Sequence, residues 1–215
     1  MQNSAMSVLT AGTALDSAEY AIVAIHGRGG TAQSMLALAQ EVAPPEFALL
    51  APQAEGFTWY PFSFLAPQAQ NQPALGDALQ AVAHLLETIQ AAGISPARTV
   101  LFGFSQGACL ALESVARRPQ RFGGVLALSG ALIGLSQPPY PFAGDLLGTP
   151  IFLGCSDVDA HIPLARLQAS AQILRQMNAS VTERIYPNMA HTINHDEVKW
   201  AREFLKQFPS KSNID

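Results

Sequence analysis

Short unbroken apolar runs alternate along this chain with stretches whose apolar positions recur every three or four residues. The first kind reads as strands buried on both faces, the second as amphipathic helices laid over them. Tyr20 to Ile25, Phe47 to Ala51, Thr99 to Phe102, Gly124 to Leu128 and Pro150 to Leu153 are the continuous runs. Val181 to Tyr186 alternates instead, as an edge strand would. Helical spacing joins Met35, Leu38, Ala39 and Val42, then Leu79, Val82, Leu86 and Ile89, and near the end Val198, Ala201, Leu205 and Phe208. A helix is also expected from Leu164 to Met177. Strand and helix in regular succession predict an α/β fold, a mostly parallel sheet with helices on both faces.

The segments between these elements differ in kind. Residues up to Asp16 are small and polar apart from Ser7 to Thr10, so a frayed tail or an edge strand is expected there, and a polar tail from Ser210 to Asp215. Gln53 to Gln72 is long, rich in Pro and Gln, and carries Phe57, Trp59, Tyr60, Phe62 and Phe64. Long loops in compact domains are commonly functional, and aromatic residues on one suggest the wall of an apolar pocket, for which Trp59 is the candidate. The alternative is that several of them cover the core. Ala131 to Gly148, with Pro138-Pro139-Tyr140-Pro141, reads as a loop excursion rather than a helical lid. His84 falls on a covering helix and is read as a surface residue.

Composition narrows the function classes. The 215 residues suit a single domain spanning 1–215, with 1–16 and 210–215 peripheral. Nearly half are hydrophobic (49%) and 13% charged, as doubly covered strands require. The 12 Lys and Arg residues form no run and the net charge is -4, which argues against nucleic acid as a partner. Cys109 and Cys155 lack disulfide or metal spacing and read as reduced core thiols, favouring a cytoplasmic setting. No stretch has the apolar length of a membrane span, and no beginning of the chain has the charge and apolar run of a secretory signal. The oligomeric state is not readable, and a homodimer is compatible with everything above.

The candidate chemistry lies where the third unbroken apolar run ends. Gly103-Phe104-Ser105-Gln106-Gly107 sits between that run and the helix-like Ala108 to Glu113. A strand turning sharply into a helix around G-x-S-x-G lifts the serine hydroxyl clear of the sheet. The helix N-terminus behind it offers unpaired N–H groups to an oxyanion. Upstream, His26-Gly27-Arg28-Gly29-Gly30-Thr31 is a glycine-rich turn between strand and helix. Such a turn cradles phosphate or aims an N–H at a reacting oxygen. Neither nucleotide-binding glycine pattern is present, so the second use is favoured, with the backbone N–H of Arg28 beside that of Gln106. A plain turn with Arg28 facing water is the alternative.

A serine needs a base, and the base an acid to orient it. Asp157 and Asp159 follow the strand ending at Leu153, and His191 follows Val181 to Tyr186. Asp159 begins Asp-Ala-His-Ile-Pro, whose proline opens the next helix, and is the preferred acid; Asp157 is expected to cap its own loop. His161 either lines the mouth of the site or lies in solvent. His191 and His195 are four apart, but no H-E-x-x-H pattern or third ligand accompanies them, so neither metal nor cofactor is expected.

Together, the Ser105 pentapeptide, His26-Gly27-Arg28-Gly29, Asp159 to Pro163 and Met189-Ala190-His191-Thr192 resemble the phospholipase/carboxylesterase family of α/β-hydrolases, which includes acyl-protein thioesterases and small bacterial esterases. The resemblance runs from about Tyr20 to Phe208. It implies an α/β-hydrolase sheet of eight strands or slightly fewer without a large lid. It further implies Ser105 as nucleophile, Asp159 as acid, His191 as base, and the Arg28 and Gln106 amides as oxyanion hole. Arg28 and Ala160 depart from the family's usual Leu and Pro, and Arg28 is expected to affect which substrates enter. Thr58-Trp59-Tyr60-Pro61 is closer to the bacterial esterase branch. The expected reaction is hydrolysis of a small-molecule carboxylic ester through an acyl-enzyme. A thioesterase on the same residues and a non-catalytic binding homologue are the alternatives, whereas a dienelactone-type hydrolase would carry a cysteine in place of Ser105.

Overall fold

A computed structural model describes residues 6–134 and 142–208. Seven strands form one sheet: β1 (Val8–Gly12), β2 (Tyr20–Ile25), β3 (Phe47–Pro52), β4 (Thr99–Phe104), β5 (Gly124–Leu128), β6 (Pro150–Ser156) and β7 (Ser180–Tyr186). Their spatial order is β1-β3-β2-β4-β5-β6-β7, and every pairing is parallel except β1 with β3. Five helices cover it: α1 (Ala32–Val42), α2 (Ala74–Ala91), α3 (Gln106–Arg117), α4 (Leu164–Gln176) and α5 (His195–Leu205).

The unbroken apolar runs are explained by burial on both faces. Ala21, Val23 and Ile25 of β2 join the apolar cluster that includes α2, α3 and α4, while Tyr20, Ile22 and Ala24 join the one beneath α1 and α5. β5 divides the same way, Val125 and Ala127 against Leu126 and Leu128, because successive side chains of a strand point to opposite faces. β7 has a neighbour on one side only, and its alternating burial matches the alternation read from its residues.

The beginning of the chain resolves to an edge strand. Val8–Gly12 pairs antiparallel with β3, from Val8 beside Pro52 to Gly12 beside Ala48. The sheet has seven strands, the trimmed form of the expected eight. Pro138 to Pro141 and Ser210 to Asp215 lie outside the described residues, so the excursion is seen only at its ends, where Leu146 is fully buried and donates its N–H to the Met177 carbonyl. No helix among the described residues is long and apolar enough to cross a membrane.

Strand order positions the site. From β2 the chain moves outward to β3, then returns past β2 to β4, so the loops leaving the carboxyl ends of β2 and β4 diverge. In open parallel sheets a crevice forms at such a reversal. The His26 turn and the Ser105 turn are those two loops.

One polar group inside this fold is costly. Glu197, in the first turn of α5, is fully buried; one oxygen accepts the Asn194 N–H at 2.9 Å and the other has no hydrogen-bond partner among the described residues. Burial, with Asp196 adding to it, pushes its carboxyl from the ordinary 4.5 up to about 7. Between those values the folded chain holds a proton that the unfolded chain has released, so this group's contribution to stability falls as pH rises through the window and is flat above it. Glu197→Gln keeps the acceptor for Asn194 and removes the ionisation. Its Tm should exceed that of the wild type by about 5 °C at pH 8 and equal it near the acid end of the window. Thermal unfolding at the two pH values checks this.

Candidate active site

The Ser105 turn is set by close packing. Ser105 has φ 54° and ψ -118°, a backbone conformation that costs a non-glycine residue about 1–3 kcal/mol. The surrounding contacts hold it there. A Cβ on Gly103 would lie 2.5 Å from the Gly107 backbone, and one on Gly107 would collide with the carbonyls of Ile25 and His26. Both glycines thus permit α3 to lie against β4 and the end of β2, and α3 is buried from Gln106 through Ala116.

Three side chains distant in the chain meet here. His191 Nε2 is 2.8 Å from Ser105 Oγ, and His191 Nδ1 is 2.7 Å from Asp159 Oδ2. Asp159 Oδ1 accepts the N–H groups of His161 at 2.8 Å and Ile162 at 3.0 Å. Burial alone would push the Asp159 carboxyl up. The hydrogen bonds from His191, Ile162 and His161 together outweigh burial and hold it below the ordinary carboxylate range. An ionised Asp159 only accepts, so His191 Nδ1 carries the proton and Nε2 is left to accept from the Ser105 hydroxyl. The Phe104 ring flanks His191 on one side at 5.1 Å between centroids, and His161 on the other at 4.7 Å.

The two candidate acids divide their work otherwise than expected. Asp157 does not cap its own loop: its Oδ1 accepts the Asn188 N–H at 2.8 Å, tying the acid's loop to the loop that carries His191. Capping the loop is done by Asp159, through the Oδ1 that does not face His191. His191 precedes α5 in a bend and His195 opens the helix, so the pair lacks the shared helix face that a metal site would use. Cys155 Sγ lies 3.7 Å from Asp159 Oδ2, and burial, foremost, pushes its thiol up to about 12, so it stays protonated.

The glycine-rich turn also packs against Ser105. A Cβ on Gly27 would sit 3.3 Å from that of Ser105, so the two turns are in close contact. Gln106 is the first residue of α3, where no intrahelical acceptor exists for its N–H. Among the described residues the Arg28 N–H likewise has no acceptor. Both N–H groups are thus unpaired among the described residues, one in each of the two turns that meet at Ser105.

Side-chain roles here escaped the sequence reading. Arg28 does not simply face water: Nη1 donates to the Pro61 carbonyl at 2.9 Å and Nη2 to those of Tyr60 and Phe62 at 2.8 Å each. Gln106 Oε1 accepts from the Trp59 N–H at 2.9 Å, and its Nε2 donates to the Tyr60 carbonyl at 2.8 Å. Trp59, expected in a pocket wall, is instead 5% exposed, with its indole N–H donating to the His26 carbonyl at 2.8 Å. A buried indole needs that partner, so the ring is held inward. The outward aromatics of this loop are Phe57 and Phe62, each about half exposed (52% and 53%). His26 is fully buried; its Nε2 accepts the Ala54 N–H at 3.1 Å, so Nδ1 donates to the Gly27 carbonyl at 2.7 Å. Burial lowers its pKa and keeps it neutral.

Residues 12–208 match the model of a family described as phospholipase/carboxylesterase. The chain belongs to that family. It is similar to the crystal structure of a phospholipase/carboxylesterase from Dyadobacter fermentans, 40% identical, with a TM-score of 0.90 over 96% of this chain and 99% of that one. A probable carboxylesterase SOBER1-like of Arabidopsis thaliana is 29% identical over 142 residues, 66% of this chain and 54% of the relative. Acyl-protein thioesterase 1 of Saccharomyces cerevisiae is 33% identical over 120 residues, 54% of this chain and 52% of the relative. The chain thus spans about half the length of the curated relatives it matches. The α/β-hydrolase fold and the family resemblance expected from the four motifs agree with these likenesses.

The glycine contacts carry a direct consequence. Gly107→Ala should destabilise the protein by about 2–4 kcal/mol, since the backbone atoms it meets belong to β2 and the turn after it and cannot move aside. Denaturant unfolding of the variant beside wild type measures the loss.

Proposed function

We propose that this protein is a serine hydrolase cleaving carboxylic esters through an acyl-enzyme, with Ser105, His191 and Asp159 as its catalytic residues. The observation that carries this reading is the continuous hydrogen-bonded line from Ser105 Oγ through His191 to Asp159, at 2.8 and 2.7 Å. Kinship to esterases supports it, and so does the pair of unpaired amides in the two turns that meet at Ser105.

In the proposed reaction, Ser105 Oγ attacks the ester carbonyl carbon while His191 Nε2 takes the hydroxyl proton. Ionised Asp159 stabilises the resulting imidazolium and remains unprotonated. Negative charge moves onto the carbonyl oxygen, which the Arg28 and Gln106 N–H groups receive. The C–O bond to the alcohol then breaks, and His191 returns the proton to the departing oxygen. Water, deprotonated by the same nitrogen, repeats the attack on the acyl-enzyme, releasing the acid and free Ser105. A thioester would follow identical steps with sulfur departing, and the likeness to an acyl-protein thioesterase keeps that substrate class in view. We further infer that the described residues act as a single domain, all resting on one sheet, and that the protein works in the cytoplasm, where two buried free thiols persist unmodified.

Purified protein should release p-nitrophenol from short-chain esters and form a covalent adduct with a fluorophosphonate at Ser105. A protein that does neither is no serine hydrolase. Ser105→Ala and His191→Ala should each lower kcat by about 10³-fold or more. Asp159→Asn should cost about 10²-fold or more, because an amide can hold the imidazole in the wrong tautomer. Asp157→Asn should cost less than about tenfold, since its side chain bonds the Asn188 amide rather than His191. Steady-state kinetics of the four variants rank these roles.

A further inference from the structure

We infer that the side chains of Arg28 and Gln106 are positioning residues, which fasten both oxyanion amides to one backbone strap, Thr58 to Phe62, and so hold the hole preformed. The inference rests on the hydrolase reading above.

The need for such a device lies in the turn itself. Of the four residues Gly27 to Gly30, three are glycines, whose backbones have the widest conformational freedom. Gly29 has φ +74° and open space around its α-carbon, so packing does not restrain it. Arg28 carries the only side chain in this stretch. Its guanidinium spans three successive carbonyls, those of Tyr60, Pro61 and Phe62, all at 2.8 to 2.9 Å. A planar fork bound at three points fixes direction as well as distance. One residue further along, the Gly29 N–H donates to the carbonyl of Phe57, the residue just before the strap, at 2.8 Å, so the turn is held to this loop a second time.

The second amide is tied to the same strap. Gln106 meets it through Trp59 N–H and the Tyr60 carbonyl, and that carbonyl is the one Arg28 Nη2 also reaches. Thr58 Oγ1 adds a third donor to it at 3.1 Å. The Tyr60 carbonyl is therefore a shared node between two residues that make no direct bond to each other. The node cannot drift, because the Tyr60 ring is buried in the core. Misplacing one donor by about 1 Å is enough to cost on the order of 10²-fold in rate.

This arrangement revises the expectation that Arg28 selects which substrates enter. Three of its five N–H groups already hold carbonyls, so the guanidinium is anchored to the strap and cannot swing freely toward an entering substrate.

The test compares wild type with Arg28→Met and Arg28→Lys on a p-nitrophenyl ester, together with the inhibition constant of an alkyl boronic acid, whose adduct with Ser105 is tetrahedral and anionic. Arg28→Met should lower kcat about 10- to 100-fold and weaken the boronate by the same factor, while KM stays within about threefold. Tm should stay within a few degrees, since the side chain lies at the surface, and Arg28→Lys should recover part of the rate. Arg28→Gln serves should Arg28→Met not fold. An active wild type beside an Arg28→Met of unchanged kcat, or of unchanged boronate affinity, overturns the inference alone. A wild type with no turnover and no fluorophosphonate adduct sinks the hydrolase reading and the inference with it.

Discussion

The close crossing of α3 over the ends of β4 and β2 is the constraint from which the rest of the structure follows. Gly103 and Gly107 let the backbones touch, and the contact forces Ser105 into a conformation that serine avoids. That strain, about 1–3 kcal/mol, is offset many times over by the helix, whose apolar side chains from Ala108 to Ala116 are almost wholly removed from water. Because α3 begins at residue 106, the same crossing also places an unpaired N–H next to the hydroxyl. The proposed nucleophile and one of the two proposed oxyanion amides are therefore products of one packing decision.

Polar groups around this centre are distributed according to whether they have partners. Asp159 has four hydrogen-bond or near neighbours, and its charge survives burial. Glu113, more deeply buried, accepts from Arg117, Gln68 and the Ile133 N–H, yet burial still pushes its carboxyl up. Glu197 has a single donor, and its carboxyl rises to about 7. The direction at each carboxyl is set by the balance between desolvation, mildest at Asp159, and the donors it has acquired. Neutral bonds of His26, Trp59 and Gln106, beside those of the Arg28 guanidinium, stitch the turn after β2 and the start of α3 to the aromatic loop without any ion pair.

Much of this was legible in the residues themselves. Five unbroken apolar runs and one alternating run mark six of the seven strands, because burial on both faces leaves no room for polar side chains. The G-x-S-x-G turn was readable because glycine is demanded wherever two backbones touch. Asp159 was separable from Asp157 through the proline that opens α4. Less visible was β1, whose residues are only partly buried and whose pairing with β3 depends on a distant partner. The aromatic loop misled in part: Trp59, Tyr60 and Phe64 cover the core, and only Phe57 and Phe62 turn outward.

What the sequence by itself determined is the set of local choices: which runs extend, which coil, where glycine must stand, and which residues have proton-transfer chemistry. Tertiary structure alone decided the pairings. The separations of 86 positions from Ser105 to His191 and 32 from Arg28 to Tyr60 leave no periodic trace, because a hydrogen bond between remote segments imposes no spacing on either. A side chain's nearest partner is set by how layers stack, and arginine or glutamine looks the same in sequence whether it meets water or a carbonyl. Local propensity acts over a few residues, while the contacts that orient this site reach across the whole sheet.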